Sequence, residues 1–219
     1  MNKIIDKISN RKINIACFAI ICLIASIVMM GASEKKGKSG SIDFERVLRE
    51  SKYGKQKLNE LTQQSKSRDE LLKFVSMYRS MSSNQAGELR SLILKVSRTP
   101  EEEAKLKSLK EKVIDEDTAR LQLLQKKDRT PEEQKSISEY SRRIKQNEKT
   151  LPQWSREFTE ELYRIRQSGI QESVKAAKDA LEKVAAKEGY TKVFDSKVLP
   201  YSSNDLTNET IKELDNNKK

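Results

Sequence analysis

Apolar residues recur every three or four positions between residues 55 and 188, with charged or polar residues between them. That spacing places the apolar residues on one face of an α-helix. The predicted helices cover residues 44–97, 100–127, 131–149 and 152–188. Polar residues such as Ser65 and Arg68 interrupt the apolar stripes. We therefore expect long helices that pair along narrow seams, as in a coiled coil.

Helix lengths favour a path that reverses at each of the three breaks. At about 1.5 Å per residue the helices measure roughly 81, 42, 28 and 56 Å. Three reversals leave the two ends of the helical region about 11 Å apart, against about 36 Å for a single reversal near residue 129. This predicts a shaft of residues 44–82 with 152–188. Pro152 is the weak point of this path, because Leu151 is a poor N-cap and a kink in one continuous helix is the alternative to a break.

The pentapeptide Arg-Thr-Pro-Glu-Glu occurs twice, at residues 98–102 and 129–133. Threonine before the first helical residue, proline at that residue and glutamate at the third form a capping box. Each copy therefore predicts a helix start. An internal duplication and two independent capping boxes explain the repeat about equally well.

The apolar spacing changes to alternation after Gly189, which predicts short strands at residues 191–195 and 197–201 joined as a hairpin. A short helix is expected over 207–214 with Thr207 as its N-cap. Residues 41–44 could add an edge strand from the other end of the chain. Because so small a hairpin is marginal alone, it needs that strand or another subunit.

Residues 13–32 contain no charge, and twenty helical residues span about 30 Å, the thickness of a bilayer core. We expect residues 1–33 to be a signal peptide or a membrane anchor, and both remain open. Residues 34–41 are predicted to be a flexible linker. The remainder of the chain is therefore expected to be exported.

Composition argues against catalysis. The chain has no histidine, and its two cysteines, Cys17 and Cys22, lie in the apolar N-terminal run. Serine–histidine and cysteine–histidine catalysis are therefore ruled out, and no motif for an enzyme is present. We expect no cofactor and no metal, and we interpret the acidic run 115–117 as a solvated helix face.

The formal net charge is +11, and 35% of the residues are charged. Because basic and acidic residues alternate along the predicted helices without stacking aromatics, nucleic-acid binding is a poor interpretation. Attraction to an anionic membrane surface is better motivated.

Residues near both ends resemble a known family. At the C-terminal end these are Gly189, Tyr190, Val193, Phe194, Asp195, Val198, Leu199, Tyr201, Asp205, Leu206, Thr207, Ile211 and Leu214. Near the other end they are Ile42, Asp43, Val47, Leu48, Ser51, Gly54 and Lys55. Together they resemble the OmpH/Skp family of periplasmic outer-membrane-protein chaperones.

The resemblance implies a mostly α protein with a small β head. Three copies would build a β-rich trimerisation body from which long antiparallel helical arms project, like a jellyfish. The expected parts are a head of 42–54 and 189–219, an arm shaft of 55–83 and 152–188, and an additional helical tip of 84–151. Such a homotrimer would hold unfolded outer-membrane proteins without ATP and prevent their aggregation. It would work in the periplasm, either soluble after signal cleavage or anchored by residues 13–32.

Two sets of residues are candidates for these roles. The client-binding candidates are apolar or aromatic residues on or beside the seam: Leu72, Phe74, Met77, Tyr78, Met81, Trp154, Phe158 and Tyr163. The trimerisation candidates are Ile42, Val193, Phe194, Val198 and Leu199. Filling the helix–helix seam or an intrachain core would explain the same residues. The alternative function is a membrane-anchored coiled-coil spacer of the cell envelope.

Overall fold

A computed structural model describes residues 37–199 and 201–217. The apolar segment 13–32 lies outside these residues. None of the helices in the described ranges is long and apolar enough to cross a membrane. The elements in chain order are β1 (Lys38–Ile42), α1 (Phe44–Glu50), α2 (Lys52–Met77), α3 (Ser83–Ile93), α4 (Pro100–Gln125), α5 (Pro131–Glu188), β2 (Tyr190–Asp195) and α6 (Thr207–Asn217).

The chain divides into two compact units. The head unit comprises the described residues up to Ser51 together with those from Ala176 onward, and the helical unit is Lys52–Lys175. Strand β1 begins at Lys38, within the stretch expected to be a linker. The buried apolar residues of the head unit are Ile42, Val47, Ala176, Ala177, Ala180, Val184, Leu206 and Leu214.

Strands β1 and β2 pair in parallel, with Gly40 opposite Val193 and Ile42 opposite Asp195. The predicted hairpin is wrong, because no second strand follows β2 in the described residues. Instead the chain turns around Asp195, whose carbonyl accepts hydrogen bonds from the Val198 and Leu199 amides at 2.9 and 3.0 Å. These local bonds occupy the backbone groups that a returning strand would need.

The strand expected near residues 41–44 is confirmed as β1, which pairs with β2. In the described residues the sheet has two strands, so β1 is an edge strand, and one isolated bridge to Asp205 covers its outer side. The Ser41 amide donates to the Asn204 carbonyl, and the Leu206 amide donates to the Ser41 carbonyl, both at 2.8 Å. Strand β1 therefore has backbone partners on both sides. Within the described residues no strand pairs with the outer edge of β2.

The helical unit is built from α2, α3, α4 and the first part of α5. The expected continuous helix 44–97 is broken at Ser51 and again between Met77 and Ser83. A Ser82–Gln85 capping box starts α3 after the second break. Its core contains Leu71, Val75, Met81, Ala86, Leu89, Leu92, Ile93, Leu106, Leu109, Val113, Trp154 and Phe158.

Buried polar side chains hold the turn between α2 and α3. The Asn147 side-chain amide, only 2% exposed, donates to the carbonyls of Arg79 and Met81 at 2.6 and 2.9 Å. The Ser80 hydroxyl donates to the Asp117 carboxylate at 2.6 Å. Residues far away in the sequence thus satisfy the backbone of a reversal that helical periodicity does not indicate.

The acidic run 115–117 is only partly the solvated helix face expected, because Asp115 is exposed whereas Asp117 is buried. Burial acts to raise the pKa of Asp117, but hydrogen bonds from Arg120 and Ser80 outweigh it and hold the pKa below its ordinary value. Within the described residues no group of acidic or cysteine side chains could hold a metal ion.

Helix α5 continues through Pro152, so the predicted separate helices 131–149 and 152–188 form one helix of 58 residues. Proline removes one backbone donor and normally interrupts a helix. Here Pro152 is exposed, whereas Asn147, Trp154 and Phe158 on the opposite face are buried. We infer that this packing on both sides of the proline keeps the helix continuous.

Both repeated pentapeptides form the predicted capping boxes. The Thr99 hydroxyl accepts from the Glu102 amide while the Glu102 carboxylate accepts from the Thr99 amide. Thr130 and Glu133 repeat this arrangement. The arginine of each copy also donates to carbonyls of the preceding helix, Arg98 to Leu92 and Ile93, and Arg129 to Leu123 and Leu124. Each copy therefore ends one helix and starts the next.

Replacement of Asn147 tests the turn between α2 and α3. Asn147→Ala removes the donor from the buried Met81 carbonyl and from the partly buried Arg79 carbonyl, so we expect the free energy of unfolding to fall by about 1–3 kcal/mol. Chemical unfolding followed by circular dichroism measures the change. The exposed neighbour Gln146→Ala is the control and should stay within about 0.5 kcal/mol. Equal stability of the two variants would contradict the role of Asn147.

Candidate functional site

Three of the predicted client-binding residues lie inside the helical unit. Met81 is 1% exposed, Phe158 2% and Trp154 8%, and all three belong to the same core. They pack against side chains of this chain. In this conformation they offer little surface to another molecule.

Three more candidates are half-buried at the edge of that core. Leu72, Phe74 and Tyr78 pack against it from α2 and the residue after it. The rings of Phe74 and Tyr78 are 4.8 Å apart, and the Lys110 ammonium lies 5.7 Å from the Phe74 ring. These side chains combine a packing role with a partly accessible surface.

Met77 and Tyr163 are the exposed candidates, at 68% and 63%. They are part of a scattered set rather than a continuous patch. The large exposed apolar residues of the helical unit are Leu58, Met77, Val96, Ile114, Leu121, Leu124 and Tyr163. Because they are distributed over three helices and one loop, they provide separate small contacts.

Two arginines form a cluster with the buried aromatic rings. The Arg90 guanidinium lies 5.1 Å from the ring centres of both Trp154 and Phe158, and that of Arg68 lies 5.6 Å from the Phe158 ring. Attraction between a cation and an aromatic face is stronger when water is excluded, as it is here around Arg68, which is 8% exposed.

Two carboxylates complete the arginine cluster. Arg90 binds Glu157 at 2.9 Å, and Arg68 binds Glu161 at 2.9 Å. Hydrogen bonds from Gln153 and Arg90 hold the pKa of Glu157 below its ordinary value. In the sequence, Arg68 stands out only as an interruption of the seam. The signal that could have identified its partners is the alternation of aromatic and acidic residues at 154, 157, 158 and 161 on one helix face.

The trimerisation candidates occupy different positions in the head unit. Ile42 is 1% exposed and belongs to the core. Val193, Phe194 and Leu199 are half-buried, and Val198 is 64% exposed. Val198 follows β2, whose outer edge has no partner strand in the described residues.

A family model for OmpH-like outer membrane proteins matches residues 38–214. The match includes both strands of the head unit and the whole helical unit. The chain belongs to the OmpH-like family. OmpH-like proteins are periplasmic chaperones rather than enzymes, as the residues near the two ends suggested. No curated protein and no solved structure matches the chain.

The OmpH-like fold seen here is mostly helical with a small two-stranded sheet, as expected. Family membership supports the chaperone interpretation and gives no support to the envelope spacer. The geometry separates the candidate residues into those that build the scaffold and those that another protein can reach.

Paired substitutions test this separation in the OmpH-like chain. Phe158→Ala removes a buried ring and should lower the free energy of unfolding by about 3–5 kcal/mol. Tyr163→Ala removes an exposed ring from the same helix and should change it by no more than about 0.5 kcal/mol. Urea unfolding followed by circular dichroism measures both. A large loss for Tyr163→Ala, or none for Phe158→Ala, would contradict the assignment.

Proposed function

We propose that this chain is an ATP-independent holdase that binds unfolded outer-membrane proteins in the periplasm and prevents their aggregation. The observation that carries the proposal is the family match over residues 38–214. Because the match is continuous, it includes the head unit as well as the helical unit.

The surface of the helical unit supports this function. Single exposed apolar side chains such as Leu58, Met77 and Tyr163 are separated by charged residues. A surface of this kind offers many weak contacts and no fixed shape, which suits partners that have no fold of their own. Unlike charges on the client would speed its capture.

Among the client-binding candidates, those with exposed or partly exposed side chains would contact the client. Met77 and Tyr163 contribute exposed side chains, and Leu72, Phe74 and Tyr78 contribute partly exposed ones. The buried candidates Met81, Trp154 and Phe158 act through the helices that they hold together.

Three copies of the chain are proposed to associate through their head units. A free strand edge can pair with another chain, and natural proteins usually cover such edges. Strand β2 has an outer edge without a partner strand in the described residues. The exposed residues Val198 and Tyr201 follow this strand within a few positions in the sequence. Ile42 is buried in the head unit, so it would stabilise the proposed contact surface without touching another copy of the chain.

Suppression of aggregation tests the holdase. An unfolded β-barrel protein diluted from urea should scatter less light when the purified chain is present and ATP is absent. The double variant Met77→Ser, Tyr163→Ser should bind the client more weakly by a factor on the order of five, equivalent to about 1 kcal/mol of lost apolar contact.

The matched control for that experiment is Gln63→Ser, Gln146→Ser, which changes two exposed polar residues of the same helices. It should suppress scattering as well as the original chain does. Scattering that rises equally fast with and without the original chain would refute the holdase function.

Molar mass in solution tests the trimer. Light scattering should give three times the chain mass of 25.2 kDa. Val198→Asp places a charge on the exposed turn that follows β2, so we expect it to shift the protein toward the monomer. Val96→Asp, at a 93% exposed valine of the helical unit, should leave the mass unchanged. A monomeric original chain would contradict the proposed assembly.

A further inference from the structure

The outer face of α5 within the helical unit carries a row of free cations. Lys135, Lys145, Lys149, Arg156 and Arg164 are all exposed. We name these five residues the cationic stripe. Among the described residues none of them forms a hydrogen bond or an ion pair, whereas sixteen other lysines and arginines are paired with carboxylates, from Arg46 to Lys197.

Helical geometry places the cationic stripe on the side of α5 that faces away from the core. With 3.6 residues per turn, the five side chains lie within about 60° of one line along the helix. Asn147, Trp154 and Phe158, which are buried, project from the opposite side. The only acidic residue close to the middle of the stripe is Glu160.

The stripe is long and narrow. From residue 135 to residue 164 the helix rises about 44 Å. An extended polypeptide covers the same distance with about 13 residues. The positions between the cations include the polar residues Ser138 and Gln153 and the exposed ring of Tyr163.

We propose that the cationic stripe binds acidic segments of unfolded client polypeptides in an extended conformation. The inference rests on the proposed holdase function and names the class of client segment that this face takes. Five unpaired cations along one face, with Glu160 as the single acidic residue close to their middle, complement carboxylates spaced along an extended chain.

An anionic membrane is a poorer match for this face. A helix that lies on a membrane normally presents a broad apolar face that enters the lipid. Tyr163 is the one large apolar side chain exposed beside the stripe on this part of α5. The favoured partner is therefore a flexible polyanionic chain.

Binding of an acidic peptide to the full-length chain tests the proposal. The probe is a fluorescent 15-residue peptide rich in aspartate and glutamate and free of large apolar residues, and its dissociation constant is measured by anisotropy. The triple variant Lys145→Gln, Lys149→Gln, Arg156→Gln should weaken binding by about tenfold. High salt should abolish the difference, because salt screens exposed charges.

The matched control is Lys55→Gln, Lys66→Gln, Lys73→Gln, which removes the same charge from exposed lysines of α2 that form no ion pair within the described part of the chain, unlike Lys57 and Arg68. It should bind the peptide nearly as well as the original chain. Equal weakening in both triple variants would overturn the proposal, because total charge would then explain the binding. Equally tight binding of a basic peptide would also overturn it.

Two further measurements separate the remaining outcomes. If the stripe variant loses sedimentation with phosphatidylglycerol vesicles but keeps its affinity for the peptide, the occupant is a membrane and the proposal fails. Light scattering with an unfolded β-barrel client distinguishes failure of the holdase function from failure of the cationic stripe alone. An original chain that prevents aggregation while both triple variants bind peptide equally leaves the holdase intact and refutes only the stripe.

Discussion

The packing of two arginines on two aromatic rings is the interaction on which the helical unit depends. Arg68 comes from α2, Arg90 from α3, and Trp154 and Phe158 from α5. Removing a guanidinium from water is costly unless its donors and charge are satisfied. Glu157 and Glu161 supply that compensation from the same face of α5 as the rings. One face of one helix thus provides both the apolar surface and the counter-charges that fix two other helices.

This arrangement determines which residues can meet a client. The rings of Trp154 and Phe158 and the side chain of Met81 are already engaged within the chain. The surface that remains consists of isolated apolar groups and charged residues, among them the free cations on the outer side of α5. The same packing therefore has two results: the large apolar side chains fill the interior, and the surface keeps only isolated groups that can bind another protein weakly. Such a surface fits the proposed holdase, which would have to release its clients as readily as it binds them.

Local patterns in the sequence predict the elements that depend on neighbouring residues. The helix starts after Thr99 and Thr130 follow from capping boxes. Gly189 adopts the left-handed backbone conformation, with φ at +75°, as expected for a glycine just after a helix. The turn before α3 depends on Asn147, more than sixty residues away, and the partner of β2 comes from the opposite end of the chain. The Asn147 contact leaves no signature near the turn that it stabilises. The same holds for the client-binding candidates, since periodicity identifies an apolar residue without saying what covers it. The partner of β2 could be expected, because so small a β segment is marginal alone and residues 41–44 offered a strand.

The two strands of the head unit lie far apart in the sequence. Parallel strands cannot be joined by a tight turn and need a crossover connection. Between β1 and β2 that connection is the entire helical region, from α1 to the end of α5. Bringing the ends of so long a segment together costs chain entropy, but this cost grows only slowly with the length of the segment. The hydrogen bonds of the parallel ladder and the buried residues of the head unit, such as Ile42 and Leu206, can therefore offset it although the connection is far longer than a crossover requires.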